Sequence, residues 1–149
     1  MTLMLVASFG ASILTALLPW MNAEIMLLSA TRFVASPSGL IGLVAVVTAG
    51  QMTGKTAMYW LARKAADAGS SRLAQLTERW RARFTEHPRS ALAIVLASAL
   101  VGFPPFYAVS IAAGTSRMRF PYFLVIGSAA RFVHFAIVAL IPQIIWRHA

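Results

Sequence analysis

Proline interrupts two of the long apolar stretches in this chain, and the arms on either side of each break are too short to cross a bilayer. The first stretch covers residues 3–34 and the second covers residues 90–114. A spanning helix needs about 20 apolar residues, whereas each arm has roughly 10–16. We therefore expect each stretch to enter the membrane and return as a re-entrant helical hairpin, with a substrate site at the breaks. The residues at the breaks are Pro19, Asn22, Pro104 and Pro105.

A continuous apolar run follows each hairpin and is long enough to span. Residues 40–62 would extend about 34 Å as a helix and form the clearest spanning helix, and residues 119–141 form the second. The predicted fold is all-α integral membrane: two opposed re-entrant helical hairpins, each followed by a spanning helix, make an inverted repeat. A single domain covers residues 1–149, with its parts at 1–64, 65–89 and 90–142.

The composition favours a membrane protein and excludes several kinds of site. Apolar residues make up 59% of the chain and charged residues 11%, whereas soluble domains carry about 25% charged residues. The net charge of +9 comes from basic residues between the apolar runs, which is the usual topology signal of membrane proteins rather than a nucleic-acid surface. The chain has no cysteine, so disulfides, thiolate metal sites and cysteine catalysis are excluded.

The most polar segment, residues 63–89, separates the two halves. It contains seven of the 13 basic residues and three of the four acids, and this positive excess indicates the cytoplasmic side. Within residues 70–86 apolar side chains recur at helical spacing between arginines. We therefore predict an amphipathic connector helix that binds the lipids of an anionic leaflet; a solvated connector is the alternative. The apolar positions are Leu73, Leu76, Trp80 and Phe84.

The cytoplasmic connector sets the direction of every other segment. Residues 40–62 then run from outside to inside, and residues 119–141 run in the opposite direction. The first hairpin would enter from the outer face and the second from the cytoplasmic face. Arg117 and Arg119 fit this topology, because they would lie on the cytoplasmic side.

Two charged residues stand where charge is costly. Glu24 is the only acid outside the polar segment and follows the first break directly. A carboxylate at membrane depth is unfavourable unless it is protonated, hydrated or paired, so it marks a functional site by default; a structural salt bridge is the alternative. Arg131 lies about 15 Å into the last span, too deep for easy snorkelling. We therefore predict a contact between Glu24 and Arg131, direct or through a substrate phosphate.

Further positions each have a functional and a structural interpretation. His134 lies one turn after Arg131 and can share its face, but a packed core histidine is the favoured interpretation. Lys55 and Arg32 either line the anion site or snorkel to the interface. The Gly-x-x-x-Gly pattern at residues 50–54 allows close helix approach, and helix packing is its favoured role.

Catalytic motifs are missing from the sequence. It contains no metalloprotease helix, nucleophile elbow, phosphate loop or clustered metal-ligand spacing. Because three of the four acids lie in the polar segment, general acid–base catalysis has few candidates. We predict neither an enzyme nor a bound cofactor or metal.

Three segments resemble the DedA superfamily, also called the SNARE-associated or VTT-domain family. Residues 22–26 resemble its entry into the first hairpin, with Glu24 at the acidic position. The second segment is Gly50-x-x-x-Gly54-x-x-x-x-Tyr59-x-x-x-Arg63. The third comprises Phe103-Pro104-Pro105, Ala113-Gly114, Met118, Phe123 and Arg131-Phe132. Many members carry an acid where Lys55 stands and arginines near residues 101–107, so the likeness is closer to the small divergent members.

The resemblance implies a transporter of the bacterial inner membrane that moves a lipid between leaflets, often tied to the proton gradient. Its substrate would be a phospholipid or a polyprenyl phosphate such as undecaprenyl phosphate. Glu24 would be the protonatable gate, and Arg131 with Lys55 or Arg32 would counter the phosphate. Two alternatives are open: a proton-coupled carrier of a small ion or drug-like solute, and a non-transporting membrane scaffold. A homo-oligomer is also left open, and no nucleic-acid partner is expected.

Overall fold

Helices dominate the fold of the chain. A computed structural model describes residues 2–18, 22–34, 36–69, 75, 78, 82 and 84–147. Six helices can be bounded within these residues, and no strand occurs among them. They are α1 (Thr2–Leu17), α2 (Ala23–Thr31), α3 (Pro37–Asp67), α4 (Pro88–Val101), α5 (Phe106–Thr115) and α6 (Phe120–Arg147). The predicted all-α fold is therefore confirmed for the described part of the chain.

The first helix break separates α1 from α2. α1 ends at Leu17, and Asn22 is the N-cap of α2. The Asn22 Oδ1 accepts a hydrogen bond from the backbone N–H of Glu24 at 2.8 Å, which is the usual way for asparagine to begin a helix. Pro19, predicted to interrupt this stretch, lies outside the described residues.

The second helix break is held by hydrogen bonds among its own residues. Gly102 follows α4 with a φ of 86°, and its N–H donates to the Ser98 carbonyl at 3.0 Å. Glycine suits this left-handed C-cap because a Cβ atom is strained there. The Ser98 hydroxyl donates to the Pro104 carbonyl at 2.5 Å, beyond a cis Phe103–Pro104 peptide bond. Pro105 is the N-cap of α5, so the predicted break at the two prolines is confirmed.

The chain forms two compact units. The first comprises Met1–Gly54 and Arg131–Ala149, and the second comprises Lys55–Ala130. α3 and α6 each contribute residues to both. In the first unit α1 contacts α2, and in the second α4 contacts α5. The apolar core of the first unit is formed by Leu27, Val34, Leu40, Leu43, Val44, Val47, Phe135 and Ala139.

Small residues let α1 and α3 approach closely in the first unit. A Cβ atom added at Gly50 would lie 2.6 Å from the Phe9 carbonyl oxygen. One added at Gly54 would lie 2.5 Å from the Ala16 Cβ atom. Both distances are shorter than van der Waals contact, so only glycine fits. The Gly-x-x-x-Gly pattern therefore has the helix-packing role that the sequence favoured.

Gln51 adds hydrogen bonds to the same interface. Its Nε2 donates to Thr15 Oγ1 at 2.6 Å and to the Ser12 carbonyl at 3.2 Å. All three residues are buried. The Ser12 hydroxyl donates in turn to the Ser8 carbonyl at 2.6 Å. Polar side chains that bond across an interface of small residues are typical of helix pairs in membranes.

Tyr59 lies at the centre of the second unit. Its side chain is fully buried, and its ring stacks on Phe123 with centroids 5.2 Å apart. The Tyr59 hydroxyl donates to the Met118 carbonyl and accepts a hydrogen bond from Arg63 Nη1 at 3.0 Å. A Cβ atom added at Gly114 would overlap the Tyr59 carbonyl. The C-terminal half of α3 is thus held to α5 and to the start of α6.

One helical segment in the described ranges is long and apolar enough to cross a membrane, Phe120–Pro142 in α6. It corresponds to the predicted span 119–141. Residues 40–62, predicted as the clearest span, lie within α3, which does not meet the same criterion of apolar composition. Gln51 and Lys55 account for much of this shortfall, because they place strongly polar groups in the middle of the run. The structure therefore supports one of the two predicted spans.

The predicted amphipathic connector helix falls mostly outside the described residues. Those outside include three of its four apolar positions, Leu73, Leu76 and Trp80. The fourth, Phe84, is described and is buried. Phe84 therefore packs against protein, in contrast to the prediction that it anchors the helix in lipid.

Candidate functional site

Glu24 lies in the first turn of α2, directly after the Asn22 cap. Backbone N–H groups at a helix start have no partner within the helix and carry partial positive charge, so they stabilise a carboxylate there. The Glu24 side chain is 40% exposed. The first break of the chain therefore presents a carboxylate that is held in place and still accessible.

His134 of α6 contacts this carboxylate. Its Nε2 lies 2.9 Å from Glu24 Oε1, and its side chain is only 15% exposed. A proton between the two atoms can belong to the imidazole, which then donates to the carboxylate, or to the carboxyl group, which then donates to the imidazole. This contact corrects the interpretation of His134 as a histidine that only fills the core.

Arg131 lies one turn before His134 on the same helix. The Glu24 carboxylate acts electrostatically on its guanidinium, and the guanidinium carbon lies 5.5 Å from the centroid of the Phe135 ring. That distance is typical of a cation–π interaction. Glu24 and Arg131 are thus neighbours in the first unit, and His134 also contacts the carboxylate.

The other two predicted cationic residues lie in different surroundings. Arg32 is the C-cap residue of α2 and is exposed. It follows Glu24 by eight residues, so it lies about 12 Å further along the helix axis. Lys55 belongs to the second unit and is 5% exposed. This burial does not fit the snorkelling interpretation of Lys55, because snorkelling carries the ammonium group to water.

The sequence predicted no role for Gln51, and it indicated Tyr59 only through the family resemblance. A signal for Gln51 was present: an amide inside an apolar run needs a hydrogen-bond partner on a neighbouring helix. Tyr59 offers a similar signal, since a buried hydroxyl is usually hydrogen-bonded. Neither signal identifies the partner.

Glu24, His134 and Arg131 can together bind a proton or an oxyanion. While Glu24 is ionised, its charge offsets the charge of Arg131. When Glu24 is protonated, this offset is lost, and the guanidinium can form strong, charge-assisted hydrogen bonds with a phosphate oxygen. Among the described residues no group of three Cys, His, Asp or Glu side chains is arranged to hold a metal ion.

Comparison of the chain with protein-family models, with curated proteins and with solved structures gives no match. The resemblance to the DedA superfamily therefore stays a prediction that rests on the three sequence segments. The case for a function rests on the site itself.

Proposed function

We propose that this protein is a membrane transporter that moves an anionic lipid, a polyprenyl phosphate or a phospholipid, between leaflets. The observation that carries the proposal is the contact between Glu24 and His134 beside Arg131. Three ionisable groups close together are rare in a chain of this apolar character, and groups of this kind inside membrane proteins mark substrate and proton pathways.

The arrangement suggests how a phosphate headgroup could be taken up and released. A proton on the Glu24–His134 pair removes the negative charge that competes for Arg131, and the phosphate then binds the guanidinium in a bidentate manner. Loss of the proton restores the carboxylate, which displaces the phosphate from Arg131. The acyl or prenyl chains of the lipid stay in the hydrocarbon throughout, so only the headgroup needs a polar path.

The proposal includes the architecture that the sequence predicted. Two re-entrant hairpins enter from opposite faces, the spans at residues 40–62 and 119–141 complete an inverted repeat, and the protein lies in a bacterial inner membrane. The short apolar helices α1, α4 and α5 support the hairpins, because none has the length that a single crossing requires.

Leaflet exchange in vesicles tests the proposal. The purified protein is reconstituted with a fluorescent polyprenyl phosphate or phosphatidylglycerol, and a membrane-impermeant reductant bleaches the label in the outer leaflet. Protein-containing vesicles should lose almost all of the signal, whereas empty vesicles keep the inner-leaflet part. Glu24→Gln and Arg131→Gln should each slow exchange by about tenfold or more, the effect of about 1.4 kcal/mol.

Arg89→Gln is the matched control, because Arg89 is an exposed arginine in the first turn of α4 and its loss makes the same charge change. It should exchange lipid at the original rate. Equal bleaching with and without protein for every lipid would refute lipid transport. Unchanged rates in the Glu24 and Arg131 variants would refute the role of this site in it.

The carboxylate–imidazole contact also favours a second candidate, a proton-coupled carrier of a small ion or drug-like solute. Such a carrier would produce solute uptake that follows an imposed pH gradient in vesicles whose lipids do not exchange. If neither lipid nor solute moves and the Glu24 and Arg131 variants retain the protein's cellular role, the chain is a membrane scaffold.

A further inference from the structure

The second unit has exposed and half-buried cationic and aromatic side chains where the end of α3 meets the start of α6. We call them the arginine–aromatic collar, defined as Trp60, Arg63, Arg117, Arg119 and Tyr122. We propose that the arginine–aromatic collar binds the phosphate headgroups of an anionic leaflet. This inference needs the chain to lie in a membrane, but it does not need the chain to move lipid.

The members of the collar on α3 are joined to the start of α6 by direct contacts. The Arg63 guanidinium carbon lies 5.4 Å from the Trp60 ring centroid, and the Trp60 ring lies 5.4 Å from the ring of Phe120. The Tyr59 hydroxyl accepts from Arg63 and donates to Met118, the residue before Arg119. Arg63 is therefore fixed beside the turn that carries Arg119.

The same region has an excess of positive charge. Asp67, the one acid among the described residues 60–69 and 115–122, is paired with Arg117 through a contact of 2.5 Å. No described acid pairs with Arg63 or Arg119, so both cations add to the positive charge. The exposed Lys64 adds a third cation. An anionic leaflet attracts basic residues at its surface, so the charge of the collar matches that of the proposed partner.

The aromatic members supply the apolar half of an interfacial surface. Trp60 is 41% exposed and Tyr122 is 50% exposed. Tyr122 belongs to the helix segment that can span a membrane, Phe120–Pro142, and Trp60 contacts Phe120 at its start. Tryptophan and tyrosine are enriched at the level of the headgroups, because their rings are apolar and their polar atoms reach water. The cationic side chains of the collar suit the phosphate of a lipid, and its aromatic rings suit the glycerol and the acyl chains.

The backbone conformation of Arg117 also bears on the proposal. Its φ is 54°, a left-handed conformation that is strained for a residue with a side chain and that glycine or asparagine adopts more easily. The turn by itself therefore does not call for arginine. The ion pair with Asp67 holds the guanidinium at the surface, where 66% of the Arg117 side chain is exposed, so the charge stays accessible to a headgroup.

Quenching of Trp60 fluorescence by brominated lipid tests the proposal. Trp20, Trp80 and Trp146 are replaced by phenylalanine, and the protein is reconstituted in phosphatidylcholine that contains a fixed fraction of brominated phosphatidylglycerol or brominated phosphatidylcholine. The brominated anionic lipid should quench Trp60 more strongly, because it is enriched around the collar. The double variant Arg63→Gln/Arg119→Gln should weaken this preference by about fivefold for each cation removed.

Arg63 also packs on Trp60, so its replacement can disturb the fold. Arg119→Gln alone is therefore the deciding variant, since Arg119 is exposed, and circular dichroism verifies that helix content is retained. Arg89→Gln, with the same change in charge but no aromatic neighbour among the described ring contacts, should keep the full preference. Equal quenching by both lipids in the starting protein, no change in Arg119→Gln, or an equal loss in Arg89→Gln would overturn the proposal.

Discussion

The imidazole of His134 and the carboxylate of Glu24 meet at 2.9 Å although 110 positions separate them in the chain. The contact joins the beginning of α2 to the middle of α6 and thereby ties together the two chain segments of the first unit. A carboxylate that loses contact with water is destabilised unless it is paired. The Glu24 side chain is 40% exposed, and an imidazole and a neighbouring guanidinium offset the cost of burying the rest.

We expect His134→Leu to destabilise the protein by about 1–3 kcal/mol, because it leaves the carboxylate without the imidazole. Thermal unfolding in detergent micelles, followed by circular dichroism, measures the change. The same replacement at the exposed His87 is the control and should have little effect. In the Glu24→Gln background His134→Leu should be less harmful; strictly additive effects would mean that the two side chains do not interact.

Replacement of Gly50 by alanine should cost about 1–3 kcal/mol of unfolding free energy, because the new methyl group collides with the backbone of α1. Gly42→Ala is the matched control on the same helix, since a Cβ atom there meets no other atom within 4 Å. That variant should gain about 0.5–1 kcal/mol from helix propensity. The test is that the two substitutions change the unfolding free energy in opposite directions. If both were stabilising, the close packing of α1 and α3 would be contradicted.

Gln51→Leu nearly preserves side-chain volume but removes the hydrogen bonds to Ser12 and Thr15. We expect a loss of about 0.5–1.5 kcal/mol, the usual net value of such bonds. Thr53→Val, two residues on, removes an exposed hydroxyl that bonds only within α3 and serves as the control. An unchanged unfolding midpoint for Gln51→Leu would show that apolar packing alone holds this interface.

Tyr59→Phe keeps the stacked ring and removes a hydroxyl that both donates and accepts. The Met118 carbonyl and Arg63 would each lose a partner, so a destabilisation of about 1–2 kcal/mol is expected. Tyr122→Phe, at a half-exposed ring in the same unit, should change stability little. The midpoint of chemical unfolding in micelles distinguishes them, and equal midpoints would mean that the Tyr59 hydroxyl contributes nothing to stability.

Helix boundaries were largely predictable from the sequence because their signals are local. Proline, glycine and asparagine interrupt or cap a helix through their own backbone and side-chain chemistry. Asn22 begins α2 and Gly102 ends α4, close to where the apolar stretches were predicted to break. The span predicted within α3 was less successful, because the sequence argument counted the length of the apolar run and gave little weight to Gln51 and Lys55 inside it. Both residues are buried in the structure.

The partner of Glu24 was harder to predict, for a geometric reason. Arg131 and His134 are one turn apart on α6 and point toward the same side, so the sequence identifies the face but not which side chain reaches the carboxylate. A rotation of the helix by a fraction of a turn exchanges the two. Charge favoured arginine in the sequence argument. The structure places the guanidinium where the carboxylate acts on it, and it adds a contact between the carboxylate and histidine that charge alone did not indicate.

The break between α4 and α5 leaves few backbone groups that require solvent. Pro104 and Pro105 have no N–H to satisfy, while Ser98 accepts from Gly102 and donates to Pro104. The exposed side chains of the turn are apolar: Phe103, which is 78% accessible, and Pro105. Because the two prolines of this turn have no backbone N–H group, the turn needs less water to satisfy its hydrogen bonds. Such a turn can lie among acyl chains, where unsatisfied polar groups are excluded.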